Sequence, residues 1–577
     1  MATVRGVFLR LLAPVAISFS CAFTVAMPIA GGAQSSAHGR LEVATPGEVR
    51  AQKALDAAKH YGAPGVYAFL KSFPKGADLH MHLSGAVYAE TFIAEAVKQG
   101  LCVMPVSPVS PNDPPGTPPS PVGQNAVRFI APGAGGCPDK AVPASSVLAN
   151  QPLYDNLVDS FSMRAFVPTQ GINGHDQFFA TFARYGGLKD AAGEWLDEVA
   201  SRAAAQNEQY LEIMQTPAFS NAAKVGAQIG WPAGSEKDVS HATLAALRDK
   251  LLAAGLRSEV AIDQKELGDS LAARNRIENC GPAVPDGVDR KSMLACSVRI
   301  HFLYQILRGN LPQQVFAQTL LGFEVASAGP DVVGINFVMP EDGRLSMRDY
   351  HLQMQMLDYL HSVYPQVHIS LHAGELASGL VPPDGLRFHI REAVELGHAE
   401  RIGHGVDLMY ENGPAGLLKE MAAKHVDVEI NLTSNDGILG VKGSDHPLPA
   451  YMNARVPISI STDDEGVSRI DLTHEYARAV QEQGFSYLDL KRAARASLEH
   501  SFLHGESLFA DPDDFRRIRP ECNGAITPVS KPLSKCHKFL ESSEKAAEQW
   551  ELERRLAAFE QNAVGPLSRN PASMTTK

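Results

Sequence analysis

Four short stretches of this chain set imidazoles and carboxylates where they can act together: His80-Met81-His82, His372-Ala373-Gly374-Glu375, Gly403-His404-Gly405 and Thr462-Asp463-Asp464. On a strand, side-chain alternation points His80 and His82 to one face, so both imidazoles can grip one ion. His372 supplies a third nitrogen, and Glu375 a carboxyl group able to act as acid and base on a metal-bound water. His404 stands between two glycines, where the backbone can approach closely, and a neutral imidazole there can orient the attacking water. Asp463 and Asp464 follow an apolar run, and burying two adjacent carboxylates is expensive unless a cation or hydrogen bonds compensate. Three nitrogens and one carboxylate leave a divalent ion room for a water whose pKa falls toward neutrality, which makes a nucleophile. Zinc, one ion per chain, is the first choice; iron, manganese and cobalt accept the same donors. Each stretch alone has a plainer explanation: chance histidines at i and i+2, a hydrogen-bonded core histidine at 372, a helix N-terminal carboxylate at 375, a solvated loop at 463–464. Joint action requires a fold that gathers them.

The elements around these residues suit that need. Short apolar strands are read at Asp78–Leu83, Tyr210–Met214, Ser258–Ile262 or Ser297–Phe302, Val332–Val338, Val367–His372, Arg401–Gly403, Asp427–Asn431 and Ile458–Thr462. Helical stretches such as Ala242–Ala254 and Pro312–Ala326 separate them. This alternation indicates an α/β protein with a parallel sheet, and eight such units fit a closed (β/α)8 TIM barrel. An open doubly wound sheet would more often carry Gly-x-Gly-x-x-Gly after its first strand, and none stands there. In a barrel the C-terminal strand ends converge on one face, and all four stretches lie at such ends. The barrel is placed over 72–510, after an N-terminal helical extension over 34–71 that includes a helix at Pro46–Lys71. A Pro/Gly-rich insertion interrupts it over 103–150, and its densest part, Pro105–Gly136, reads as a surface excursion without regular elements. A C-terminal extension over 511–577 carries a terminal surface helix at Glu541–Phe559.

Composition sets the remaining bounds. Among 577 residues, 45% are hydrophobic and 20% charged, which fits a globular enzyme with a sizeable core. A formal net charge of −12 argues against sequence-independent binding to nucleic acid and leaves a small-molecule partner. Arg5 and Arg10 precede the apolar run Leu11–Ala30 and the small residues Gly31, Gly32 and Ala33. That is the order of a secretory signal peptide over 1–33; the alternative is an uncleaved anchor, against which Pro28, Ser18 and Ser20 count. The expectation is a secreted or periplasmic protein with no stable membrane anchor after cleavage. Losing Cys21 with the leader leaves six cysteines, grouped by proximity as Cys102 with Cys137, Cys280 with Cys296 and Cys522 with Cys536. Three short-range disulfides in an oxidising compartment follow. No Cys-x-x-Cys pair is available to hold zinc.

Taken together, the stretches Lys75-Gly76-Ala77-Asp78-Leu79-His80-Met81-His82-Leu83-Ser84-Gly85-Ala86, Leu371-His372-Ala373-Gly374-Glu375, Arg401-Ile402-Gly403-His404-Gly405 and Ser461-Thr462-Asp463-Asp464 resemble the adenosine and AMP deaminase family of metal-dependent hydrolases. The likeness covers roughly Lys71 to Gly505. Met163-Arg164 and His175-Asp176-Gln177-Phe178-Phe179 resemble its secreted adenosine deaminase-related growth factor branch. The resemblance implies that His80, His82, His372 and Asp463 bind zinc, that Glu375 protonates N1 of a purine, and that His404 positions the hydroxide attacking C6. Asp464 would hydrogen-bond N7, and Gly85 would border the nucleoside. The implied reaction is hydrolytic deamination of adenosine or a close 6-aminopurine nucleoside to inosine and ammonia, in a chain that forms a homodimer. Two departures bear on the substrate. Ser84 stands where such enzymes usually place an Asp against ribose, and Met339 where a Gly commonly lets the backbone reach N3. Another amidohydrolase reaction on the same metal site is one alternative, and a secreted nucleoside-binding protein with secondary catalysis is the other. Glu375 and His404 count against the second, because binding alone needs no proton-transfer pair. The other zinc deaminase class needs His-x-Glu with Pro-Cys-x-x-Cys; His398-Ala399-Glu400 imitates the first half and the second is missing.

Overall fold

The computed structural model describes residues 44–106, 126–164, 166–168, 172–189, 191–281, 295–524 and 526–563. The leader over 1–33 and the Pro-rich run at Pro114–Pro119 lie outside them. Thr45–Lys577 forms one compact unit, built on eight strands: β1 (Gly76–His82), β2 (Glu208–Gln215), β3 (Arg299–Leu307), β4 (Val332–Val338), β5 (His368–Ala373), β6 (Arg401–His404), β7 (Asp427–Ile430) and β8 (Ile458–Ile460). They pair in sequence order and in parallel throughout. The ring closes just past β8, where Asp463 bridges to Met81 and its N–H donates to the His80 carbonyl at 2.8 Å. Every residue of β1 and β4 is buried, as expected of parallel strands covered on both faces.

The barrel interior carries ionic side chains as well as apolar ones. From β6, Arg401 pairs with Glu429 on β7 at 2.6 Å and with Glu212 on β2 at 2.7 Å, while its guanidinium lies 3.8 Å from the Phe502 ring centroid. All three charged side chains are fully buried. Breaking such a triad strands two carboxylates in low dielectric, a cost of about 3–5 kcal/mol. Arg401→Leu is therefore expected to lower unfolding stability by about that amount in urea titration; a loss under about 1 kcal/mol would contradict the assignment.

Several boundaries differ from the sequence reading. Pro46–Lys71 is two helices, Pro46–Lys59 and Gly62–Leu70, because Gly62 at φ +66° breaks the run. Ser258–Ile262 is helical, spanning the end of a 3-10 turn and the start of helix Glu259–Ile277, and the third strand is the alternative near 297. Short apolar runs do not separate strand from helix by periodicity alone. The insertion is less irregular than its proline content suggests: Cys102–Pro105 pairs with Val127–Ile130 and with Val142–Pro143, and Val103, Val127 and Phe129 join the main core. The terminal helix divides into Ser534–Ser542 and Glu544–Asn562. It is no mere surface helix, since Leu552 and Leu556 are buried and Phe559 packs on Phe69 and Phe73. The three disulfides connect the cysteines paired by proximity. Among the described residues no helix is long and apolar enough to cross a membrane.

Candidate active site

At the C-terminal mouth of the barrel, β1 delivers His80 and His82, β5 delivers His372, and the segment after β8 delivers Asp463. The His80 and His372 Nε2 atoms stand 3.1 Å apart, and those of His82 and His372 stand 3.2 Å apart. Asp463 Oδ1 lies 3.6 Å from His80 Nε2 and 3.3 Å from His82 Nε2. Donors about 2.0–2.1 Å from a tetrahedral ion are separated by about 3.4 Å, so these spacings fit a cation at their centre.

Proton placement points the same way. His80 Nδ1 faces Glu429 at 2.5 Å, His82 Nδ1 faces Gln305 Oε1 at 2.8 Å, and His372 Nδ1 faces Asn336 Oδ1 at 2.7 Å. The amides are held in those orientations, because Gln305 Nε2 donates to Thr216 at 3.0 Å and Asn336 Nδ2 to Ser370 at 3.1 Å. Each ring therefore donates through Nδ1, and three Nε2 lone pairs converge on one point. Asp463 Oδ1 and Asp464 Oδ1 are buried with no hydrogen-bond partner among the described residues. Convergent lone pairs beside unpaired carboxylate oxygens repel one another unless positive charge lies between them. The pocket thus favours a cation: His80, His372, His404 and Asp463 bring ligand atoms within 4.8 Å of one another, as do His82, Asp463 and Asp464, and such donors suit a divalent metal.

Glu375 follows β5 in the turn opened by Gly374 at φ +75°. Burial, then the charges of Asp463 and Glu341, pushes its carboxyl well above the usual range, which favours its protonated form. The same causes, burial and then Asp463, push the Asp464 carboxyl well above the usual range. His404 is fully buried at φ +71°; burial lowers its pKa to about 3, so the ring is neutral. Its Nε2 lies 3.8 Å from Glu375 Oε1 and 4.0 Å from Asp463 Oδ2. Three non-glycine residues of this mouth, His404, Asp463 and Met339, adopt positive φ, a strained backbone of the kind that collects at functional sites.

The residues expected on the substrate side are Gly85, Ser84 and Met339. A Cβ on Gly85 would run into the Asp464 carboxylate, so only glycine fits beneath it. Ser84 sits half-buried in the short helix Leu83–Ala86, beside the buried Tyr185. Met339, just past β4, is 41% exposed at the rim. Its φ of +86° is one glycine adopts freely, so the backbone keeps a glycine-like path while a side chain projects where that glycine would leave space.

Sequence reasoning missed the groups that orient the site. Glu429, Asn336 and Gln305 each fix one imidazole; their only signal was a polar residue inside an apolar strand. Glu341 accepts from the backbone N–H groups of Gly374 and Glu375 at 3.1 and 2.8 Å and pairs with His389 at 2.5 Å. Burial opposes its charge, but Arg308 and His389 prevail and hold its pKa at about 2, against an ordinary 4.5. A carboxyl depressed in the fold stabilises above its unfolded pKa, and that stability is lost as pH falls toward the folded value. Stability is therefore expected to decline from about pH 5 toward pH 2, with Glu341→Gln flattening the decline; an unchanged urea-midpoint slope in that variant would contradict this.

Fold and site together define a (β/α)8 barrel with a cradle suited to a divalent cation at its C-terminal mouth. Residues 271–508 match the adenosine deaminase family model. The adenosine deaminase of Shewanella loihica is 38% identical over 136 residues, covering 23% of this chain and 38% of that enzyme. That of Escherichia coli O157:H7 is 37% identical over 140 residues, covering 24% and 39%. The chain thus matches about two-fifths of the length of these relatives. Among solved structures, the N6-methyl-AMP deaminase of Arabidopsis thaliana is 20% identical, with 76% of this chain and 94% of that chain covered and a TM-score of 0.45. For the adenine deaminase of Arthrobacter aurescens the values are 16%, 75%, 94% and 0.44.

Proposed function

We propose that this chain hydrolyses the C6–N bond of adenosine or a close 6-aminopurine nucleoside, yielding inosine and ammonia, with zinc as its metal. The observation that carries this reading is the buried Glu375 carboxyl beside a four-donor cation cradle, an acid set next to the place where a nucleophile would be made. His80, His82, His372 and Asp463 are the residues that would hold the ion. A divalent cation held there would lower the pKa of water toward neutrality. Glu375 gives its proton to purine N1, which makes C6 electrophilic; its carboxylate then takes the proton of the oxygen added at C6 and passes it to the departing nitrogen. N7 of a purine only accepts, so Asp464 must donate to it, and its raised pKa supports that direction. His404 directs its Nε2 at the attacking water. Gly85 and Ser84 flank the nucleoside, and Met339 crowds the side where N3 would lie.

The same reading includes export to an oxidising compartment, supported by the leader composition and by three disulfides. Membership of the secreted growth factor branch rests on the likeness at Met163-Arg164 and at His175–Phe179. A homodimer is inferred from the resemblance alone, and sedimentation of the mature chain checks it. Ser84 and Met339 direct the substrate test. Purified mature protein is offered adenosine, 2′-deoxyadenosine, an N6-methylated adenosine and AMP, while amine release and the purine absorbance change are followed together. Deamination of at least one nucleoside supports the reading. Metal-dependent hydrolysis of other amides with no purine turned over favours a different amidohydrolase reaction, and tight nucleoside binding without turnover favours a binding protein.

A further inference from the structure

His404 differs from the other three histidines of the site in the polarity of its outer nitrogen, and a chain of hydrogen bonds leading away from the site dictates that difference. The chain begins at a group with only one possible sense, the main-chain N–H of Leu448, which donates to His446 Nδ1 at 3.2 Å. A neutral imidazole that accepts at Nδ1 carries its proton on Nε2. His446 is 2% exposed, and burial, with Arg478 adding, lowers its pKa to about 4, so the ring is neutral. Its Nε2 meets Asn435 Oδ1 at 3.0 Å. That contact fixes the Asn435 amide, whose Nδ2 then donates to His404 Nδ1 at 2.9 Å. A second amide nitrogen, Asn431 Nδ2, faces the same atom at 3.5 Å. His404 Nδ1 is therefore an acceptor, and its proton sits on Nε2, which has no hydrogen-bond partner among the described residues. In His80, His82 and His372 the outer Nδ1 donates instead, so their Nε2 atoms present lone pairs.

We propose that Asn435 and His446 are positioning residues that hold His404 as its Nε2–H tautomer, so that His404 is a hydrogen-bond donor to the attacking water and neither a metal ligand nor a base. This rests on the proposed deamination and sharpens it. With no lone pair on Nε2, His404 cannot take the water's proton, and Glu375 becomes the proton carrier for both the ring nitrogen and the leaving group. It also sets His404, whose ring nitrogen lies within 4.8 Å of ligand atoms of His80, His372 and Asp463, apart from the proposed ligands.

The test uses metal-loaded mature protein with 15N-labelled histidine, as wild type and as Asn435→Asp, His446→Leu and His446→Gln. The His404 ring signals are assigned by their loss in His404→Asn. In the wild type, Nε2 is expected to bear the proton and Nδ1 to be bare. Asn435→Asp replaces the donor with an acceptor and should move the proton to Nδ1, lowering kcat roughly 100- to 10,000-fold. Metal content and KM should stay within about threefold, since neither ligands nor substrate contacts are removed. His446→Leu frees the amide to turn and should mix the tautomers; His446→Gln, which keeps an N–H for Asn435 Oδ1, should recover most of the lost turnover. A proton on Nδ1 of wild-type His404, or an Asn435→Asp protein with wild-type kcat, overturns the proposal. If the acidic variant does not fold, the wild-type ring signals and the Leu–Gln pair still decide it. The tautomer reading needs no turnover, so a chain that deaminates no purine would refute the proposed function while leaving the relay to be judged on its own signals.

Discussion

Glu375→Gln is expected to keep a full equivalent of metal and to lose turnover roughly 100- to 10,000-fold. The substitution preserves shape and the hold of Glu341 on the backbone N–H of residue 375 at 2.8 Å, so the loop has no reason to move. What changes is the proton. Burial beside Asp463 and Glu341 favours the protonated form of the native carboxyl, which could give that proton to a ring nitrogen, whereas an amide donates a hydrogen bond without releasing one. Metal analysis and kcat on the same sample check this. Wild-type turnover would refute the role of Glu375, and loss of the metal along with activity would recast it as a ligand.

His80→Ala is expected to be the most damaging change to the metal centre. His80 contributes one of the converging Nε2 atoms, and its Nδ1 lies 2.5 Å from Glu429, so its removal takes away a donor and its orienting bond together. Burial works against the Glu429 charge, but Arg401 and His80 hold its pKa at about 2; the alanine variant loses the second of these supports. Metal affinity should fall by more than the roughly 10- to 100-fold that loss of an outer hydrogen-bond partner costs, with Glu429→Gln falling within that smaller range. Dialysis against a chelator followed by metal analysis separates the two, and a full retained equivalent in His80→Ala would contradict the ligand assignment.

The site was legible where its signals are local. His80-x-His82 needs only strand alternation to share a face, and His372, His404 and Asp463 each end an apolar run, so a parallel barrel was enough to gather them. Val332–Val338 was bounded correctly because a wholly buried strand is a continuous apolar run with polar flanks. Ser258–Ile262 misled because a few apolar residues suit a helix face equally well. Glu429, Asn336 and Gln305 escaped notice for a different reason: whether a lone polar side chain on a strand points inward depends on closure of the ring, and closure is set by Asp463 pairing with Met81, 382 positions away in the chain. Glu341 and His446 act through contacts that no periodicity encodes.

The measurement that bears most directly on the whole account is the conversion of adenosine by purified mature protein before chelation, after chelation and after zinc is restored. Chelator-abolished and zinc-restored formation of inosine with one equivalent of ammonia is the predicted result. Metal bound in full with adenosine unchanged, or deamination indifferent to metal removal, would contradict it.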